Sequence, residues 1–366
     1  MYYIGIDLGG TNIKGALVSE TGEIAREVSR PTRVELGAEA VCDGIAAVIT
    51  ELSSGVDRTS LGGVGLGCPG TVDDETGRVL YANNLGWKNF DLRAAVKSRT
   101  GFDLRIGNDA NVAALAEALV GCAKGAQSAV IVTLGTGVGG GVVLDGKMLT
   151  GYTGAASELG HMVIRAGGEE CTCGRRGCFE AYASATALIR ETKRAMAAYP
   201  ESRMHAAAEE NGAVDGRTAF IAAQRGDAAA QAVVDRYLDD LACGVANIVN
   251  IFFPEVIALS GGVANQGDAL LVPLRERVRA LSYSGRRAAC PAAGEGAGVE
   301  LWLTLCRASH AHRALHARLP RGRHRRGAAG EAELKGRARR AAAAAAALLA
   351  APDDEIYPAA LAAASP

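Results

Sequence analysis

Two short segments of the same design, far apart in the chain, restrict the fold more than anything else in the sequence. The first runs from an apolar stretch at residues 2–8, ending in Asp7 and Leu8, through Gly9-Gly10-Thr11-Asn12-Ile13-Lys14 into a second apolar run at 15–19. The other leaves a β-branched stretch at 129–134 through Gly135-Thr136-Gly137-Val138-Gly139-Gly140-Gly141 and enters 142–144. Each reads as strand, glycine turn, strand. Glycine lets backbone N–H groups crowd around an anion, and Thr11, Asn12 and Lys14 add side-chain donors, so each turn is a candidate phosphate cradle. Asp7, at a strand end, is placed to hold a magnesium ion through water. A plain hairpin also needs glycine, so one such turn says little. A matching pair, one in each half, points to two similar α/β domains facing a cleft.

A length of 366 residues allows about two domains. The net charge of -1 gives no general attraction for nucleic acid or an anionic membrane. No apolar run approaches a membrane span, and the first residues lack the basic segment of a secretory signal, so a cytoplasmic protein is expected. Helical spacing is found at 36–53, 90–99, 181–197, 219–225, 228–250 and 268–281; strands are expected at 24–30, 61–67, 104–106 and 251–260.

Further candidate residues stand at the ends of these elements. Asn83-Asn84-Leu85-Gly86-Trp87 reads as a loop with amides and an indole able to meet hydroxyl groups, or as a loop with no ligand. Gly107-Asn108-Asp109-Ala110-Asn111 sits between a strand and a helix, where open α/β sheets bind ligands. Asp109 is there either a reactive carboxylate or a helix N-cap. Gly261-Gly262 follows a third strand and is placed to let a nucleotide's base or ribose pack on backbone.

The densest cluster runs from Glu158-Leu-Gly-His161 to Cys171-Thr-Cys173-Gly-Arg-Arg-Gly-Cys178-Phe-Glu180. Three thiols and an imidazole, His161, Cys171, Cys173 and Cys178, are a complete tetrahedral set for structural zinc. The bland alternatives are a chance disulfide or a core histidine; close cysteines in an apparently intracellular chain favour metal. Cys42, Cys68, Cys122 and Cys243 read as inert singletons.

Taken in order, Asp7 to Lys14, Gly67-Cys-Pro-Gly70, Gly107 to Asn111, Leu134 to Gly141, Glu158 to His161 with its cysteines, and Ser260-Gly-Gly-Val263 resemble the motifs of ROK-family bacterial glucokinases, within the sugar kinase, heat-shock protein 70 and actin superfamily. The resemblance covers residues 1–281 and implies two ribonuclease-H-like (actin-like ATPase) domains with ATP, Mg2+ and a hexose between them. It implies Asp109 as general base, Asn108, Glu158, His161 and Glu180 on sugar hydroxyls with Asn83 nearby, a structural zinc, and a dimer or tetramer. Glucose is the expected substrate. Fructose, mannose or N-acetylmannosamine are the alternatives, as is a sugar sensor without catalysis. A ROK repressor would need a helix-turn-helix ahead of Asp7, and none is expected here.

The expected domains are 1–120, 121–284 and a tail at 285–366. From about residue 285 the composition turns to Ala, Arg, Gly, Pro and His, with four of the six histidines and Arg321-Gly-Arg-His-Arg-Arg326. The last strand and helix that the family resemblance implies are not legible there. The tail reads as a basic arm, a low-complexity extension or, preferably, the product of a reading-frame shift.

Overall fold

The computed structural model describes residues 1–20, 22–119, 121–152, 154–283 and 302–305. It is mixed α/β and falls into two compact units. One comprises Met1–Gln127 with Gly141–Ser157, and the other Ser128–Gly140 with Glu158–Cys306, among the described residues.

In the first unit β1 (Tyr2–Leu8), β2 (Asn12–Ser19) and β3 (Ile24–Pro31) form the expected meander. Helix α1 (Ala38–Ser53) follows, then β4 (Leu61–Cys68). Val41, Ile45, Val48, Ile49 and Leu52 recur at helical spacing on α1 and are all buried, in one core with Ile4, Ile6 and Leu66 of the sheet. An antiparallel sheet of β5 (Thr71–Asp73), β6 (Arg78–Ala82) and β7 (Trp87–Asp91) was not expected from the sequence, because its strands are short and half exposed. Helix α2 (Leu92–Thr100) therefore starts two residues later than the spacing suggests, capped by Asp91, whose carboxylate accepts the Ala94 N–H at 3.0 Å. β8 (Leu104–Asn108) and α3 (Asp109–Leu119) complete the unit's main elements. The sheet order is β3-β2-β1-β4-β8, with β1, β4 and β8 mutually parallel.

The second sheet begins with β9 (Ala129–Leu134), β10 (Val138–Leu144) and β11 (Lys147–Met148). After the cysteine-rich loop, the helix expected at 181–197 is two helices, α4 (Glu180–Ala183) and α5 (Ala185–Ala198). Ser184 breaks them: its backbone is extended and its hydroxyl accepts the Ala187 N–H at 3.1 Å, which starts α5 afresh. Helices α6 (Met204–Asn211) and α7 (Thr218–Gln224) precede α8 (Ala228–Phe252). Residues 251 and 252 belong to α8 rather than to a strand; Phe253 ends it in a left-handed conformation at φ 43°, just before Pro254. β12 (Val256–Ser260) and α9 (Asp268–Leu281) follow.

The last described element is β13 (Trp302–Leu305), which pairs parallel with β12, Val256 opposite Trp302 and Leu259 opposite Leu305. The tail expected from residue 285 thus contributes a strand at 302–305, and the rest of that expectation lies outside the described residues. Strand β13 completes the order β11-β10-β9-β12-β13. Third, second, first, fourth, fifth: both sheets are wound the same way. Among the described residues no helix is long and apolar enough to cross a membrane.

Candidate functional site

In the first unit the parallel register decides which motifs meet. Asp7 of β1 pairs with Gly67 of β4, and Gly67 with Gly107 of β8. Three motifs therefore leave the sheet from one row at its carboxyl edge: Asp7 with Gly9 and Gly10, Gly67-Cys-Pro-Gly70, and Gly107 with Asn108 and Asp109. This is the edge at which open α/β sheets take ligands.

The first turn is tightly tied. Gly9 N–H donates to Asn12 O at 3.0 Å, and Asp7 faces Lys14 across the hairpin. Buried Thr32 closes it from β3's side, its hydroxyl donating to Gly9 O at 2.6 Å and its N–H to Thr11 O at 3.0 Å. Asp7, Gly9, Gly10, Thr11, Asn12 and Lys14 thus share one hairpin end. Asn83 lies in a short 3-10 helix, Asn83–Leu85, where its side-chain oxygen accepts the Tyr81 hydroxyl at 3.3 Å. Its neighbour Asn84 lies beside Gly10: a Cβ built there would sit 3.7 Å from Asn84 Cβ. Trp87 does not serve as a hydroxyl reader. It is 5% exposed and packs on Phe90 in the core, at 4.7 Å between rings.

At the β8–α3 junction, Asn108 is the residue that caps the helix. Its Oδ1 accepts the N–H groups of Ala110 at 3.0 Å and Asn111 at 3.1 Å, while its Nδ2 donates to Gly70 O at 2.9 Å. Asp109 is the first helical residue, exposed, and shares only the Ala110 N–H at 2.9 Å among these capping contacts. A carboxylate at a helix N-terminus is stabilised as the anion by the helix dipole. Beneath it, Cys68 is fully buried, and burial first, then the Asp109 charge, pushes its thiol far above the usual range. That cysteine is inert.

In the second unit β9 and β12 are parallel, with Ser260 opposite Thr133, so the turns at 135–137 and 261–262 leave one edge together. Gly261 lies on the backbone of β9: an added Cβ would meet Leu134 O at 2.4 Å. Gly137 lies against a side chain instead. Its Cβ would fall 2.3 Å from Glu180 Oε2, the oxygen that accepts the Val138 N–H at 3.0 Å.

The cysteine-rich loop folds on itself through bridges Val163–Cys178 and Glu170–Arg176 and through the bond from Cys171 N–H to Arg175 O at 2.8 Å. These bring the ligand atoms of His161, Cys171, Cys173 and Cys178 within 4.8 Å of one another. Cys171 Sγ lies 3.7 Å from His161 Nδ1, and Cys173 Sγ 3.7 Å from Cys178 Sγ. Tetrahedral zinc, with Zn–S near 2.3 Å and Zn–N near 2.0 Å, needs adjacent ligand atoms about 3.5–3.8 Å apart. The four residues fit it. Without metal, burial pushes the Cys171 thiol up to about 12 and also raises Cys178. Burial opposes a low value at Cys173 too, but the Arg175 N–H and the neighbouring thiols outweigh it and lower that group. Glu158, exposed, begins the 3-10 turn Leu159–His161 and accepts the His161 N–H on its backbone oxygen at 3.0 Å.

Residues 3–299 match the model of the ROK family. The chain belongs to that family. This ROK protein is 42% identical over 276 residues to a glucokinase of Thermotoga maritima, covering 75% of this chain and 86% of the relative. It is 30% identical over 282 residues to a xylose repressor of Caldicellulosiruptor bescii, covering 76% and 70%. Among solved structures it is similar to a ROK family glucokinase from Streptomyces griseus in complex with glucose and AMPPNP, with TM-score 0.67 and 31% identity over 84% of this chain and 94% of that one. The fold of this ROK protein is the α/β actin-like ATPase fold, and one sheet order occurs twice in it.

Sequence reasoning missed Thr32 and also Thr186, whose hydroxyl donates to Thr136 O at 2.7 Å in the second glycine turn. Nothing local marks either one; each acts on a turn distant in sequence.

Proposed function

We propose that this ROK-family, ATP-dependent sugar kinase transfers the γ-phosphoryl group of ATP to the 6-hydroxyl of D-glucose, with Asp109 as general base. The observation that carries the reading is the row Asp7, Gly67, Gly107, which sets Asp109, at the head of α3, at the same sheet edge as the first glycine turn. Similarity to glucokinases supports glucose as the sugar.

In this reading Asp109 accepts the proton of the 6-hydroxyl as that oxygen bonds to the γ-phosphorus and the bond to the β-phosphate oxygen breaks, releasing ADP. Such a base contributes roughly 10²–10⁴-fold. Phosphoryl transfer otherwise asks for positioning and charge neutralisation. Gly9, Gly10, Thr11, Asn12 and Lys14 are assigned to phosphate oxygens, as are Gly135, Thr136 and Gly137. Bound Mg2+ would neutralise charge on the phosphates, with Asp7 holding it through water. Gly261 and Gly262 pack against the nucleoside. Asn83, Asn108, Glu158, His161 and Glu180 meet sugar hydroxyls. Zinc would be held by His161, Cys171, Cys173 and Cys178 as a structural ion; His161 then turns Nδ1 to the metal and keeps Nε2 for a hydroxyl. Thiolates kept for metal suit a reducing cytoplasm.

A coupled assay of ADP release with ATP and glucose, mannose, fructose or N-acetylmannosamine tests the assignment. Glucose is expected to give the highest kcat/KM. A higher value for another sugar would reassign the substrate, and binding without turnover would make the chain a sugar sensor.

A further inference from the structure

The turn between β9 and β10 is gripped by the chain that follows the cysteine-rich loop. Glu180 Oε2 accepts the Val138 N–H at 3.0 Å, Ala185 N–H donates to Gly135 O at 2.8 Å, and the Thr186 hydroxyl donates to Thr136 O at 2.7 Å. A trans peptide points its N–H opposite its C=O. With the carbonyls of Gly135 and Thr136 turned to α5, the N–H groups of Thr136 and Gly137 face away from it, as an anion cradle requires.

Glu180 has a second engagement. Its Oε1 accepts the Thr172 hydroxyl at 2.9 Å and lies 3.6 Å from Cys171 Sγ. Thr172 stands between two of the clustered cysteines, and Glu180 follows Cys178 by two residues. One carboxylate thus joins the Cys/His cluster to the glycine turn.

We propose that Glu180 and Thr186 are positioning residues for ATP, holding the Gly135–Gly137 turn open to phosphate, and that Glu180 carries metal occupancy of the Cys/His cluster to that turn. Loss of the metal then weakens nucleotide binding as well as sugar binding. The proposal rests on the assignment of this turn to ATP phosphates. It differs from a purely sugar-side role for the metal, in which nucleotide affinity is indifferent to metal content.

The test is calorimetric titration of the full chain with Mg·ATP in the absence of sugar, alongside a separate titration with glucose. Thr186→Val is expected to weaken Mg·ATP binding about two- to tenfold, the effect of one hydrogen bond, while glucose affinity and metal content stay as in the unaltered chain. Thr186→Ser, which keeps the hydroxyl, should restore it. Removing zinc by chelation, followed by exchange into Mg2+ buffer, should weaken Mg·ATP binding in the unaltered chain. In Thr172→Val, binding should already be weaker and respond less to zinc. Gly135→Asp serves as the control for the site itself: no atom lies within 4 Å of a Cβ there, so the carboxylate fits but repels phosphate. Loss of binding in Gly135→Asp with none in Thr186→Val would overturn the positioning role. Mg·ATP affinity unmoved by zinc removal would overturn the link to the metal. Unchanged binding in Gly135→Asp would remove the turn from the nucleotide site, and the proposal with it.

Discussion

At the junction of β8 and α3 two adjacent residues divide two tasks. Asn108 closes the helix end with one side-chain oxygen and ties it to Gly70 with its amide nitrogen, and Asp109 brings a carboxylate to the first turn. The sequence offers Asp109 as either cap or reactive carboxylate, and the cap is its neighbour. The backbone decides, because a cap lies outside the helix and Asn108 is the last residue of the strand. Asp109→Asn is therefore expected to lower kcat by about 10²–10⁴-fold while glucose affinity, read by calorimetry, stays within a few-fold. Turnover equal to that of the unaltered chain would reject Asp109 as the base. Asn108→Ala should instead destabilise the fold by about 1 kcal/mol, seen in urea unfolding, through loss of the cap.

Among the elements, the loop from Glu158 to Glu180 and helix α8 respond to pH for opposite reasons. Three thiols and an imidazole must lose protons to bind zinc, and burial holds Cys171 at about 12 in the metal-free loop. Zinc affinity, measured by competition with a chelator, should fall about tenfold per pH unit for each thiol proton displaced as pH drops from 8 to 6. Cys173→Ser should lower both zinc content and glucose affinity; stoichiometric zinc with unchanged glucose binding would reject the ligand set. At α8, Asp227 is the N-cap, accepting from Ala230 N–H at 2.8 Å, the Ser202 hydroxyl at 2.8 Å and Arg203 N–H at 2.6 Å. Burial works to raise this carboxyl, but those bonds win and hold it below the usual range. A depressed folded value means that its stabilisation is present above the unfolded carboxylate range and is lost as pH falls through the folded value. Asp227→Ala should cost about 1 kcal/mol near neutral pH and progressively less in acid, checked by urea unfolding across pH.

Over the whole molecule, one sheet order recurs, and β13 is the fifth strand of the second sheet, as β8 is of the first. Arg275 donates to Leu303 O from Nε at 2.9 Å and from Nη2 at 2.6 Å, tying α9 to that strand. A chain ending at residue 284 would leave β12 an open edge and this guanidinium without that carbonyl. Its Tm should be lower by a few degrees, since a given loss of stability shifts Tm less as the chain lengthens; an unchanged Tm would show β13 to be dispensable. The sequence by itself determined the parts whose requirements are local. Glycines at two turns, the Cys/His ligand set and the strand-to-helix carboxylate are legible because close backbone approach, thiolate chemistry and strand-end placement each restrict residue type. Pairing of distant strands leaves no such mark. Only the tertiary structure put Asp7, Gly67 and Gly107 in one row, buried Trp87, recruited Thr32 and Thr186 to the turns, found β13 in an uninformative tail, and set Glu180 between the Cys/His cluster and the glycine turn. Those outcomes depend on register and on contacts between segments far apart in the chain, which composition and spacing do not encode.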